Sequence, residues 1–258
     1  GEPMKTFDRK KAKREARLAL SQAHPHVMLV TLVYQLLATV VPVVVLLVVL
    51  LQMGMVETWS WMELLMFCIL LLVVSFYSVV AQTGYLSYVM RLARGEEAGF
   101  WCLLEGFAQT GRVLKVAFMQ FLRMLPWTLL ASCFLTLMSV VQGLVGGVVG
   151  DVFFVLSVGV YTAFLLWLTL RYTLVYFLML DHPEQGANWV ISQSIQMMRG
   201  EKWRCLVLLL SFLGWELLSG CTMGILGLWV VPYQSVTLVH FYETAADLEY
   251  TDHMPLTF

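Results

Sequence analysis

The sequence predicts an all-α membrane protein: six transmembrane helices, a basic N-terminal helix and two amphipathic helices on the cytoplasmic side. Three observations predict it. Hydrophobic residues make up 60 % of the 258-residue chain and charged residues 13 %, against about 45–50 % and about 25 % in soluble domains. The apolar residues gather into runs long enough to cross a hydrocarbon core of roughly 30 Å, which takes about 20 helical residues. Fourteen of the sixteen Lys and Arg residues fall at the N-terminus or in two connecting segments, always on one side of those runs. Such asymmetry orients a membrane protein with its basic loops inside. The net charge of −1 hides this, because acidic outer loops and an acidic tail offset the basic N-terminus.

Residues 1–26 are read as a basic cytoplasmic segment. Gly1-Glu2-Pro3 ahead of Met4 has the look of a cloning scar. Lys5, Arg9, Lys10, Lys11, Lys13, Arg14 and Arg17 precede the first apolar run without a small-residue cleavage site, so that run is expected to be an uncleaved anchor. Within 5–22, Phe7, Leu18 and Leu20 make a weak apolar stripe. Lys10, Lys11, Lys13, Arg14 and Arg17 are therefore expected at the membrane surface, each adding about 1 kcal/mol beside anionic headgroups. Their other reading is as topology determinants alone.

The transmembrane domain is placed at 27–242, with spans near 27–51, 62–90, 113–141, 152–180, 203–219 and 222–242. The last two form one apolar run that would reach nearly 60 Å at about 1.5 Å per residue, so it must fold back. Gly220-Cys221-Thr222, with Gly224 close behind, is the expected turn. Segments 52–61 and 142–151 carry Glu57 and Asp151 but no Lys or Arg, whereas 91–112 and 181–204 are basic. Both termini and both longer connections are thus expected to be cytoplasmic. Trp59 and Trp61 fall in the outer aromatic belt, and 243–258 forms an acidic cytoplasmic tail.

A shift of 88 residues superposes Trp101 on Trp189, Trp127 on Trp215, Leu129-Leu130 on Leu217-Leu218, Tyr88 on Tyr176 and Glu96 on Glu184. It reads as a parallel internal repeat of helix, cytoplasmic connection and helix, as transporter folds often contain. Each connection holds an amphipathic stretch. In 187–199, Ala187, Val190, Ile191, Ile195 and Met198 recur at helical spacing, with Asn188, Ser192, Gln193, Gln196 and Arg199 on other faces. The counterpart is 100–109, with Phe100, Leu103, Leu104 and Phe107. Asp181-His182-Pro183 stops the preceding helix, because proline lacks the donor that the helix ladder needs.

The run Ser194-Ile-Gln-Met197-Met-Arg-Gly200-Glu-Lys202-Trp203, followed by Leu210-Ser211-Phe212-Leu213-Gly214-Trp215, Thr222-Met-Gly224, Trp229-Val-Val-Pro232-Tyr233 and Phe241-Tyr242, resembles an uncharacterised integral-membrane family of Gram-positive bacteria, domain of unknown function number nine hundred and seventy-five. The Lys10-Lys11-Ala12-Lys13-Arg14-Glu-Ala16-Arg17-Leu18 run and the Leu180-Asp181-His182-Pro183 break are similar too, so the resemblance covers nearly the whole chain. It implies a bacterial cell-membrane protein and supplies neither an activity nor catalytic residues. The layout is more distantly similar to the membrane domains attached to some glycerophosphodiester phosphodiesterases, an analogy at the level of fold.

Three charges interrupt apolar runs: Arg123, Arg171 and Glu216. A charge at bilayer depth costs roughly 2.5–3.5 kcal/mol on insertion scales and is usually functional. Counted along the helices, the three fall at similar heights, so Glu216 is expected to face the bundle interior or a polar cavity and to pair with Arg123 or Arg171. Both arginines have a second reading as side chains that snorkel to the inner headgroups, stronger for Arg171 because its span is longer than the core requires.

Other residues read more plainly. His24, Pro25 and His26 are interfacial, His182 belongs to the helix break and His240 to a helix end. Ser211, Ser219 and Thr222 are expected to bond their own backbone. Gly143-Leu-Val-Gly146-Gly147-Val-Val-Gly150 lacks the Lys-Ser/Thr of a phosphate loop and is expected to be a flexible outer connection. Pro42, Pro126 and Pro232 interrupt spans, and the fifteen Met residues supply adaptable packing. Cys68, Cys102, Cys133, Cys205 and Cys221 show no metal spacing, so neither a disulfide nor a metal site is expected, and no cofactor is implied.

No zinc signature, Ser-His pair or aspartyl dyad points to an enzyme. The preferred function is binding or transport of a lipid or amphiphilic small molecule in a cavity lined by Arg123, Glu216 and Arg171. The alternative is a non-enzymatic scaffold or accessory subunit for another membrane protein, whose charges specify helix packing. Membrane lipids, an amphiphile and a protein partner in the membrane are the expected partners, and nucleic acid is not.

Overall fold

The computed structural model describes residues 8–22, 26–53, 60–222 and 224–253, and all regular structure among them is helical. Gly1-Glu2-Pro3, Lys5, Phe7, His24, Pro25, Glu57, Trp59 and the His26 side chain lie outside the described residues. Five stretches among them are long and apolar enough to cross a membrane: Val27–Gln52, Trp61–Ala93, Thr110–Val145, Gly147–Asp181 and Lys202–Cys221. They coincide with the first five expected spans to within a few residues. The sixth, 222–242, is not among them; Pro232, Gln234, Ser235 and His240 dilute its apolar run. The chain divides into two compact units, residues 1–115 with 207–258, and residues 116–206.

In the first unit, α1 (Arg9–Gln22) packs against α12 (Gly227–His253). Helix α2 (His26–Gln35) runs through a π-helical stretch, Leu36–Val40, into α3 (Val41–Met53). The π stretch lies immediately before Pro42, whose ring would collide with the carbonyl four residues back in a regular α-helix. Tyr77 of α4 (Trp61–Ala93) donates to the Leu37 carbonyl at 3.1 Å, satisfying a group in the disturbed ladder. Helix α4 starts in a capping box: Ser60 Oγ accepts from the Glu63 N–H, and Glu63 accepts from the Ser60 N–H at 2.7 Å.

Helix α5 (Trp101–Ala108) lies on α4, where Gly84 and Gly106 let the backbones meet. A Cβ on Gly84 would run into the Leu103 carbonyl oxygen, and one on Gly106 into that of Val80. The buried residues of α4 all fall between Val80 and Met90, while Leu65, Ile69 and Leu72 are exposed. Helix α12 is well buried through Val230, Tyr233, Val236, Val239, Phe241 and Tyr242, so the core of this unit sits around it.

The second unit holds most of α6 (Thr110–Val145), then α7 (Gly147–Leu170), α8 (Val175–Asp181), α9 (Ala187–Met197) and the start of α10 (Lys202–Leu210). The expected flexible connection at 142–151 is instead a tight hairpin. Gly146 and Gly147 take φ of 65° and 58°, a left-handed pair that reverses the chain at little steric cost. Gln142 Nε2 donates to Asp151 Oδ1 across it at 2.9 Å. The fourth span is not one helix: turns at 171–174 separate α7 from α8. Helix α8 packs on α9 through Phe177, Leu178 and Met179 on one side and Val190, Ile191 and Met197 on the other.

The return after the fifth span differs from expectation. The helix continues through Cys221 as α11 (Leu213–Cys221), and turns follow at 222 and 224–226, with the Gly224 N–H closing back on the Ser219 carbonyl at 2.9 Å. A break at Ser211-Phe212 separates α10 from α11, unannounced by the apolar sequence around it.

Candidate functional site

The arginines of the second unit acquire partners from an amphipathic stretch and from an aromatic ring. Arg123 lies on α6, where its Nη2 donates to Asn188 Oδ1 at 3.1 Å and its Nη1 to Ser192 Oγ at 3.3 Å. Asn188 and Ser192 stand one turn apart on α9, so the two guanidinium nitrogens span one step of its polar face. Ala187, Val190, Ile191, Ser194 and Met197 turn the opposite face into the unit. The amphipathic spacing of α9 thus also delivers the hydrogen-bond acceptors. Both partners are neutral: they orient the guanidinium without cancelling its charge, and the Arg123 side chain is partly exposed.

Arg171 caps α7 at its C-terminus, where a cation is favoured by the helix dipole. Its guanidinium carbon lies 5.3 Å from the centre of the Trp167 ring, one turn earlier. The Arg171 carbonyl, released where the helix breaks, accepts from the Ser194 hydroxyl of α9 at 3.1 Å. Lys202 Nζ sits 4.0 Å from the centre of the same Trp167 ring. Arg204 pairs with Glu201 at 2.8 Å. Trp167, Lys202, Asn188 and Ser192 were not candidate ligands by sequence; the polar face of 187–199 was the one available signal, and nothing local links Trp167 to Lys202.

Glu216 belongs to the first unit, whereas Arg123 and Arg171 belong to the second. The break at Ser211-Phe212 places it in the first turn of α11, where its carboxylate meets the positive end of a new helix. Expected to face the bundle interior or a polar cavity, its side chain is exposed.

In the same unit, α1 does more than lie on a surface. Ala12 and Ala16 are buried, and Lys13 and Arg17 reach over aromatic rings: Lys13 Nζ 4.1 Å from the centre of Phe212, and the Arg17 guanidinium 5.5 Å from Tyr233. Burial, aided by the charges of Arg9 and Arg17, lowers the Lys13 ammonium below its usual pKa. Lys10, Lys11 and Arg14 remain exposed. Where α1 meets the end of α4 and α12, a cavity of about 460 Å³ is lined by Glu15, Leu18, Leu92, Glu96 and His240.

Two charge networks fasten the same unit. Arg91 donates to Glu105 Oε1 at 2.7 Å while lying over the Trp101 ring, and the Ser87 hydroxyl donates to the other Glu105 oxygen. Arg94 Nε pairs with Glu243 Oε1 at 3.2 Å, joining the end of α4 to α12. His240 Nδ1, 3.7 Å from Glu243 Oε2, and then Arg94 hold the Glu243 carboxyl below the usual range against the opposing effect of burial.

Residues 114–249 match the family described as "Protein of unknown function (DUF975)". No curated protein and no solved structure matches the chain.

Proposed function

The chain belongs to the DUF975 family, whose members share no established activity, and from that premise we propose a non-enzymatic, multi-pass protein of the bacterial cell membrane that binds or moves an amphiphile with an anionic head. The observation that carries this reading is Arg123. Its partners, Asn188 and Ser192, fix the fork of the guanidinium but leave its positive charge uncompensated and accessible. Neutral partners of this kind pre-orient a cation for an incoming carboxylate or phosphate, which gains a charge-assisted bond without first displacing an acid. Exposed apolar residues of the same helix, among them Leu122 beside it and Trp127 one turn on, suit the tail of such a molecule.

Six crossings with both termini cytoplasmic fit this reading. The Arg94–Glu243 pair supports α12 as the sixth span, because it ties the far part of α12 to the basic end of α4. The equal succession of α4, α5 and α6 against α8, α9 and α10 is in keeping with a parallel repeat.

The test is retention of an anionic amphiphile by the purified protein in detergent, read by native mass spectrometry. Arg123→Gln is expected to weaken retention about tenfold and Asn188→Ala by less, since a charged hydrogen bond is lost in one case and its orientation in the other. Equal retention by wild type and Arg123→Gln would sink the reading. The alternative, a scaffold or accessory subunit, draws on Glu216: an exposed carboxylate in a candidate span is a group that a basic partner protein in the membrane would pair. If Glu216→Gln abolishes co-purification of such a partner while anion retention is unchanged, the scaffold reading gains.

A further inference from the structure

Trp167 carries two cations. Lys202 Nζ and the Arg171 guanidinium both lie within 5.3 Å of the centre of its ring, and Arg199 is within electrostatic reach of Lys202. Two positive charges thus meet at one half-exposed indole, although they come from the end of α7 and from the start of α10. Like charges gathered this closely repel one another, so the arrangement is costly unless something negative completes it. Among the described residues no carboxylate supplies that group: the adjacent one, Glu201, is taken by Arg204, and Arg171, Arg199 and Lys202 form no ion pair.

The surroundings locate the cluster in depth. Trp203, beside Lys202, is 70 % exposed, and Trp167 is 45 % exposed. Exposed tryptophans next to basic residues at span ends mark the headgroup layer. Leu166, next to Trp167 on α7, is an exposed apolar side chain. An occupant therefore has a compact anionic head and an apolar remainder.

We propose that Arg171 and Lys202 around Trp167 form a discrete binding site for a lipid with a phosphomonoester headgroup. The charge count selects the monoester. A phosphodiester brings one negative charge and leaves one of the two cations unmatched, whereas a monoester carries about −1.5 to −2 at neutral pH and offers three acceptor oxygens. The Arg171 fork takes two of those oxygens and Lys202 acts as a point charge on the third, while Trp167 holds both cations in place. The site shares no residue with Arg123, and it stands whether or not an amphiphile binds there.

Full-length protein in nanodiscs of neutral lipid, doped with either phosphatidic acid or phosphatidylglycerol, tests this by native mass spectrometry. One phosphatidic acid per chain is expected to be retained in preference to phosphatidylglycerol. Lys202→Gln and Arg171→Gln each reduce that retention about tenfold, the effect of losing one charge-assisted contact. Lys202→Arg keeps it, which shows that the fold survives change at this position. Lys115→Gln, which removes an exposed cation in the other unit, leaves it unchanged. A photo-crosslinking phosphatidic acid is expected to label peptides containing 167–171 and 199–203. Label confined to 118–127 and 188–192 would support the Arg123 reading and overturn this one. Equal retention of the two lipids, the same small loss in Lys202→Gln and Lys115→Gln, or displacement of the lipid by millimolar inorganic phosphate would likewise overturn it.

Discussion

Gly106 shows how much a single atom decides in the first unit. Adding one methyl there would drive it into the Val80 carbonyl, and backbone cannot give way as a side chain does. Gly106→Ala is expected to cost about 1–3 kcal/mol, the range for overpacking, seen as a lower melting temperature in detergent. Gly111→Ala, on α6 with nothing within 4 Å of the added Cβ, is expected to leave that temperature unchanged or raise it, because alanine is the better helix former. Glu243 gives a pH dependence. Its folded pKa lies below the ordinary value of 4.5, so the stability it contributes is complete above that value and is lost as pH falls through the depressed one. Melting temperature measured against pH should therefore drop on the acid side in the wild type and drop less steeply in Glu243→Gln. If both chains show the same acid slope, the Arg94 contact adds nothing to folding.

At the scale of elements, the α6–α7 hairpin makes the sharpest contrast with a flexible loop. Each of Gly146 and Gly147 holds a left-handed conformation that costs an ordinary residue about 1–2 kcal/mol. Gly147→Ala is thus expected to lower the melting temperature measurably, whereas a mobile connection would tolerate it. The glycine-rich composition of 143–150 signals a turn either way; only the conformation of two residues tells a closed reversal from a slack one. The same limit explains which elements could be read in advance. Five helical stretches long and apolar enough to cross were legible because their apolar runs exceed what a bilayer needs. The breaks at 171–174 and at Ser211-Phe212 were not, since no proline or glycine marks them and hydropathy is blind to a change of helix direction. The docking of α1 escaped for a different reason: seven cations before a span read as headgroup contacts, and the alanines that bury against α12 carry no charge signal. Arg123 was legible as a stranded charge, but its partners come from 65 and 69 residues away.

For the molecule as a whole, the parity of crossings is the measurable quantity. With the five long apolar stretches alone, the termini would lie on opposite sides of the membrane; with α12 crossing too, they lie together. Reporter fusions at the C-terminus and in the α6–α7 hairpin are expected to read cytoplasmic and external respectively, and an external C-terminus would remove the sixth span. One feature of the packing bears on the membrane itself. In the first unit the buried part of α4 is confined to Val80–Met90, while its first half and most of α3 present Val43, Leu47, Leu65, Ile69 and Leu72 outward. Little of the surface of those halves is covered by the described residues, so in a bilayer they are expected to tilt or splay at a small loss of interior contact. Bilayer thickness is then a cheap variable for this protein, costing fractions of a kcal/mol per ångström of mismatch. Thin and thick membranes should leave the Arg91–Glu105 and Arg94–Glu243 connections intact while changing the inclination of the opposite ends.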